Sequence, residues 1–196
     1  MADTLTQTPD LATLITSRIC HDLIGPVGAI GNGLELIEAI GGAPTEEDMN
    51  LIGQSASLAR ARIGLFRLVF GRGAAEAATG EGFAALMTAA LSRPRVTVEI
   101  APPDTLGPEG ARRAALALLC ADKALPRGGT LAARWEGGVA RISATGPRMT
   151  LHDHARALLS DPSIPPSEPA ELEFHLLAQE RPRLTSEGES LMITLG

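Results

Sequence analysis

Cys20-His21-Asp22-Leu23-Ile24-Gly25-Pro26-Val27-Gly28-Ala29-Ile30-Gly31-Asn32-Gly33-Leu34-Glu35-Leu36-Ile37 is the stretch on which the fold turns. Its apolar positions Cys20, Leu23, Val27, Ile30, Leu34 and Ile37 step by 3, 4, 3, 4 and 3 residues, the spacing of a helix with a seam against its neighbours. Ile15, Ile19, Ile24 and Ile40 widen that stripe, as a helix inside a larger bundle requires. Gly41 and Gly42 predict its end. Pro44, Thr45 and Asp48 predict a new helix start, with Thr45 as the cap and Asp48 in place of the usual Glu of a capping box. In the second helix Met49, Ile52, Ala56, Ala59, Ile63, Phe66 and Phe70 step by 3, 4, 3, 4, 3 and 4, and Leu51, Leu58 and Leu65 form another stripe. Two long helices joined by a short turn make an antiparallel hairpin. Alone it leaves a wide apolar face in water, and a second copy of the chain, giving a dimeric four-helix bundle, covers that face most simply.

The composition narrows the function classes. The chain has 196 residues, 44% of them apolar and 20% charged, which excludes a disordered or collagenous chain and suits one domain or two small ones. A net charge of −6, 3% aromatic residues and no Tyr speak against a nucleic-acid surface. Cys20 and Cys120 fit neither a disulfide framework nor a zinc spacing, so a reduced, cytoplasmic setting is expected, with both as small buried hydrophobes. The first ten residues lack the basic start and apolar core of a signal peptide, and no run is expected to span a membrane.

Beyond the hairpin, the Gly- and Ala-rich segment from Gly71 to Gly82 reads as a hinge between a domain at 1–75 and another at 76–196. The second domain is predicted to hold helices at Phe83 to Leu91 and from Pro108 to Ala124, and a strand through Val96, Val98 and Ile100. A hairpin from Thr130 to Trp135 and Val139 to Ala144 follows, turning at Gly137 and Gly138. Helical stretches near Thr150 to Leu159 and Ala170 to Glu180 precede a last strand at Ser190 to Leu195. The fold class is α+β, a helical hairpin followed by a two-layer α/β sandwich.

Four histidines are present, and His21 occupies an unusual place. With Cys20 and Leu23 facing the bundle, His21 falls on the outer stripe with Gly25, Gly28, Asn32 and Glu35. Each glycine costs such a helix roughly 1 kcal/mol relative to Ala, and close approach of a partner surface is one physical reason to keep it. Periodicity alone equally admits an exposed histidine beside tolerated glycines. Elsewhere, His152-Asp153-His154 has the spacing of some metal sites but lacks further ligands, and Thr150 with Asp153 reads more simply as a helix start. His175 reads as a partly buried packing residue, and Arg112, Arg113 and Arg127 as a solvated face or a contact for an acidic partner.

The string from Cys20 to Pro26 resembles the phosphoacceptor box of histidine kinases, a His followed by an acidic residue, an apolar residue and, three positions on, Pro. Continued through Leu36, it resembles the ChpT family of bacterial histidine phosphotransferases, strongly over 11–70 and weakly beyond. The remainder resembles a histidine-kinase ATPase domain with its chemistry removed. Leu116 and Cys120 stand where the kinase helix carries Asn, Ala144 stands for the adenine-reading Asp, and Arg148 for the second of two paired glycines. A Gly-rich phosphate lid is also missing before Leu172.

The resemblance implies a histidine phosphotransferase that relays a phosphoryl group between receiver-domain aspartates through phospho-His21, without ATP. It implies no cofactor of its own, magnesium residing on the partner receiver. His21 would attack with a neutral imidazole nitrogen, the usual state of histidine near neutral pH. Arg18, one turn earlier, would help hold the phosphohistidine charge, and Asp22, pointing about 100° away, would orient His21 only through a partner or water. Arg18, Gly25, Gly28 and Asn32 are the expected receiver-docking residues. Partners implied by the family are a second copy of the chain, the receiver of a hybrid histidine kinase of the CckA type, and response regulators of the CtrA and CpdR types. An ATP-dependent histidine kinase and a non-catalytic docking protein are the alternatives.

Overall fold

The computed structural model describes residues 10–41, 43–71 and 75–196. Helix α1 (Leu11–Ile40) and helix α2 (Glu46–Phe70) form the antiparallel hairpin. Gly41 ends α1 in the left-handed region at φ 66°, while Gly42 lies outside the described residues. The Thr45 hydroxyl accepts from the Asp48 N–H and the Asp48 carboxylate accepts from the Thr45 N–H at 3.0 Å, the expected capping box.

The single predicted seam of α1 divides in two. Leu23, Ile30 and Ile37 are half-buried, whereas Cys20, Val27 and Leu34 face solvent, joined by Ile24 between them. Alternate positions of a heptad look toward different neighbours in a four-helix bundle, and one chain supplies only one of those neighbours. Cys20 is therefore exposed, contrary to expectation, and Cys120 alone is buried. The hairpin closes tightest at Gly33, where a Cβ would stand 2.8 Å from Ile52 Cγ1. A further departure is that α1, with 30 residues, is long and apolar enough by length and composition to cross a membrane. Its polar residues Arg18 and Asp22 are spent on ion pairs with the rest of the fold.

After the hairpin come α3 (Gly80–Leu91), β1 (Val96–Ala101), α4 (Gly107–Asp122), β2 (Gly129–Glu136), β3 (Val139–Thr145), α5 (Asp153–Ser160), α6 (Leu172–Ala178), β4 (Arg183–Glu187) and β5 (Ser190–Leu195). The strands form one five-stranded sheet in the order β1-β2-β3-β5-β4. Only β1 and β2 run parallel, and α4 supplies the crossover that a parallel pair needs. Gly137 and Gly138, at φ 57° and 81°, make the two-residue turn of the β2–β3 hairpin, both angles positive as the favoured hairpin turn demands. Strand β4 is unforeseen. His152, which makes no side-chain cap bond, precedes α5, so the expected Thr150 and Asp153 helix start is not formed.

Much of the predicted hinge is not a free linker. Residues 72–74 lie outside the described residues, but Ala75–Ala78 form a 3-10 helix with Ala77 fully buried, and Gly80 already opens α3. Leu65, Phe66, Leu68 and Val69 of α2 belong to the same contiguous core as Phe83, Met87, Leu118 and Ile142. Each such fully buried side chain contributes roughly 1.5–3 kcal/mol of transfer free energy, so the last turns of α2 fasten the hairpin to the sheet-bearing half. Helices α3 and α4 pack on the sheet, and Phe83 meets Trp135 edge to face at 6.0 Å between ring centroids.

Candidate functional site

The outer stripe of α1 is laid out as its periodicity requires: His21, Gly25, Gly28, Asn32 and Glu35 are all exposed. The His21 side chain is 82% exposed, and a Cβ built on Gly25 or Gly28 would meet nothing within 4 Å. An exposed imidazole thus stands at the head of a strip of bare backbone. Pro26 lies inside α1 one turn below Asp22, and its missing N–H leaves the Asp22 carbonyl without the usual helical donor.

Asp22 is not turned away from His21. Its side chain is only 7% exposed, yet Oδ1 lies 3.1 Å from His21 Nδ1, so the expectation that it would reach His21 only through a partner or water is corrected. The position explains the difference. Asp22 sits where α1 meets α2, and its short side chain is pinned there by two guanidinium groups: Arg18 holds Oδ1 and Arg62 Nη1 donates to Oδ2 at 2.6 Å. An ionised carboxylate only accepts hydrogen bonds, so the contact to His21 requires the proton on Nδ1. Nε2 then keeps its lone pair and points to solvent, the tautomer suited to nucleophilic attack.

Arg18 is also placed differently from the sequence expectation. It turns inward instead of standing free beside His21, its Nε donating to Glu173 Oε1 at 2.9 Å while the guanidinium also serves Asp22. Burial works to lower the pKa of that guanidinium, but the Glu173 and Asp22 carboxylates outweigh it and the net shift is upward. Glu173 is fully buried and also accepts from Lys123 Nζ at 2.9 Å. A chain of alternating charge therefore runs Arg62, Asp22, Arg18, Glu173, Lys123, from the hairpin into α6 and the end of α4. Asp122, paired with Arg93 at 2.6 Å, also faces Arg62 and Lys123, so four cations stand against three anions and the site behind His21 carries a surplus of one positive charge.

Sequence reasoning missed Arg62, Glu173 and Lys123. The available signal was a lone Glu between Leu172 and Phe174, together with the chain's only Lys, because a buried carboxylate needs a partner. The lesser candidates resolve simply. His175 is half-buried, its Nδ1 2.9 Å from the Ile164 carbonyl oxygen, and His154 Nε2 is 2.9 Å from Glu171 Oε1. Among the described residues no group of three His, Cys, Asp or Glu side chains could hold a metal ion. Arg112 and Arg113 both pair with Glu180.

The sequence profile of the family described as "Histidine phosphotransferase C-terminal domain" matches residues 80–184, more than half of the chain. The chain belongs to the histidine phosphotransferase family. The protein phosphotransferase ChpT of Brucella abortus (strain 2308) is 41% identical over 160 residues, covering 79% of this phosphotransferase and 72% of that protein. A solved structure of a bacterial phosphotransferase superposes with a TM-score of 0.72 at 31% identity, covering 95% of this chain and 96% of the other.

The positions that resemble kinase nucleotide motifs are filled by packing in this phosphotransferase. Leu116, Cys120 and Ala144 are fully buried core residues. Burial pushes the Cys120 thiol well up, and the Glu173 charge adds to the shift while Lys123 opposes it. Gly146 is retained for a structural reason, since a Cβ there would strike the Gly128 carbonyl oxygen and stand 3.0 Å from Gly129 Cα. Arg148 keeps a left-handed backbone at φ 59°, the conformation that a glycine adopts without strain.

Proposed function

We propose that His21 carries the phosphoryl group in transit between two receiver-domain aspartates. Nε2 attacks the phosphorus of an aspartyl phosphate in line with the leaving carboxylate, the N–P bond forms as the P–O bond breaks, and the first receiver departs with its free carboxylate. Attack at Nε2 leaves positive charge on the imidazole, which the Asp22 carboxylate stabilises through Nδ1–H. Attack by a second receiver's Asp on the same phosphorus reverses the exchange. Magnesium would be held by the acidic pocket of the receiver, and the surplus positive charge of Arg18, Arg62 and Lys123 behind His21 would offset the phosphohistidine charge.

The exposed Cys20, Ile24, Val27 and Leu34 of α1, with Met49 and Ile63 of α2, support a dimer through the hairpin. The bare strip at Gly25, Gly28 and Asn32 is the docking face for receivers, with Arg18 contributing through Asp22. The family resemblance supports a hybrid kinase of the CckA type as donor and regulators of the CtrA and CpdR types as acceptors, and a cytoplasmic relay goes with that reading. Core residues at the nucleotide positions disfavour an ATP-dependent kinase.

The observation that carries the proposal is the exposed His21 whose Nδ1 is held by a buried, doubly paired carboxylate. His21→Gln removes the nucleophile at an exposed position, so transfer from a phosphorylated receiver is expected to vanish with the melting temperature unchanged. Transfer at the wild-type rate by that variant would move the phosphoryl carrier to another residue, and no acid-labile phosphate on the wild-type chain would leave a docking protein as the remaining reading.

A further inference from the structure

The chain of ion pairs gives the sheet-bearing half a part in the chemistry. We infer that Glu173 of α6, itself held by Lys123 at the end of α4, is a positioning residue that fixes the His21 tautomer through Arg18 and Asp22. This rests on the assignment of His21 as the phosphorylated residue.

Geometry supports each link. Asp22 can select Nδ1–H only while its Oδ1 stays within hydrogen-bond reach of His21, now 3.1 Å. Arg18 grips that same oxygen, and Arg18 is a long side chain whose direction must be set by something else. Glu173 sets it: Oε1 takes the Arg18 Nε at 2.9 Å, which leaves the outer end of the fork for Asp22. Glu173 is in turn immobilised by Lys123 Nζ at 2.9 Å on its other oxygen, and Lys123 is braced by the Ala170 carbonyl and the face of the Phe174 ring, 5.3 Å from its centroid. All of these supports come from the half of the molecule that resembles an ATPase domain. That half thereby acquires a use that requires no nucleotide: it locks the second carboxylate behind the nucleophile, as outer partners of a reactive His generally lock its ring.

The order of events has a specific signature. A free neutral imidazole favours the proton on Nε2, the nitrogen that must be bare for attack. Loss of the Glu173 anchor frees Arg18 to swing and leaves Asp22 on Arg62 alone, which holds Oδ2 and not the oxygen that faces His21, so the ring returns toward its intrinsic preference. The effect reaches His21 from Glu173, a fully buried residue that presents nothing to the surface.

The test uses the full chain with 15N-labelled histidine, recording long-range 1H–15N correlations of His21 at a pH where the ring is neutral, together with transfer kinetics. Glu173→Gln, close in shape, is expected to shift His21 toward the Nε2–H form and slow transfer about tenfold or more, as a small misplacement of reacting groups does. Arg18→Met keeps the packed stem, cuts the link between the two carboxylates, and is expected to do the same; Lys123→Met, which leaves Arg18 and Asp22 in place and frees Glu173 Oε2, is expected to shift the ring in the same direction and decides the matter if Glu173→Gln does not fold. Retention of the Nδ1–H form in the folded variants overturns the inference, even if transfer slows, because packing alone would then account for the loss. Normal transfer by His21→Gln would instead overturn the assignment of His21, an outcome separate from the tautomer measurement.

Discussion

Replacing Gly28 separates helix stability from receiver access. The residue lies on the exposed stripe two turns below His21, and an added Cβ would meet nothing within 4 Å. Gly28→Ala should therefore deliver most of the intrinsic helix-propensity gain, roughly 0.8–1 kcal/mol. For a chain of this length that corresponds to a rise in melting temperature of roughly 2–4 °C. Gly33→Ala is the internal control: its Cβ would stand 2.8 Å from Ile52, so the gain is opposed by overpacking. Gly28→Leu should also fold at least as well as wild type, but its branched side chain adds two carbon shells beyond the Cβ to the strip. In-line transfer brings reacting atoms to roughly 3–3.5 Å, and a displacement of about 1 Å can cost about a hundredfold in rate. Time courses of label transfer from a phosphorylated receiver, over a range of receiver concentrations, should show weaker binding and at least a tenfold slower transfer for Leu, and little change for Ala. Wild-type transfer by Gly28→Leu would refute the docking face and leave the glycines to be explained by contacts between chains.

Val27→Asp places a charge on the outward apolar stripe and should dissociate the proposed dimer in light scattering while circular dichroism persists, whereas Phe66→Asp, which buries a charge in the chain's own core, should unfold it. ATP with magnesium should leave the melting temperature unmoved, against the roughly 2.7 kcal/mol gained by a binder at a hundredfold excess over its dissociation constant. A thiol reagent should label Cys20 faster as the protein is diluted and the dimer separates, and should reach Cys120 only after denaturation, since burial pushes its thiol away from the reactive thiolate.

The hairpin was legible because helical spacing is a local property that survives translation into three dimensions: caps at Thr45 and Gly41, and the stripe from His21 to Glu35, fall where the sequence places them. Direction within the apolar face was not legible. Nothing local distinguishes Leu23, which looks inward, from Val27, which looks out, because that depends on how α2 docks. Strand β4 escaped notice because Arg183-Leu184-Thr185-Ser186-Glu187 is an edge strand with a single apolar residue, and edges carry little alternation. At the site, His21 declared itself by its stripe, but Asp22's partners lie 40 residues away at Arg62 and, through Arg18, far along the chain at Glu173. Such pairings are set by tertiary packing, and only the anomaly of a charge in an apolar run hinted at them.

The shared core at the base of α2 bears on how such a protein diversifies. Leu65, Phe66, Leu68 and Val69 lie under the same roof as the sheet, so the hairpin is not a cassette that recombination can lift out and splice onto another body. A graft ending near residue 75 would carry those side chains away uncovered and leave a trench in what remained. A lineage built on this plan has to keep both halves together, because neither closes its core without the other.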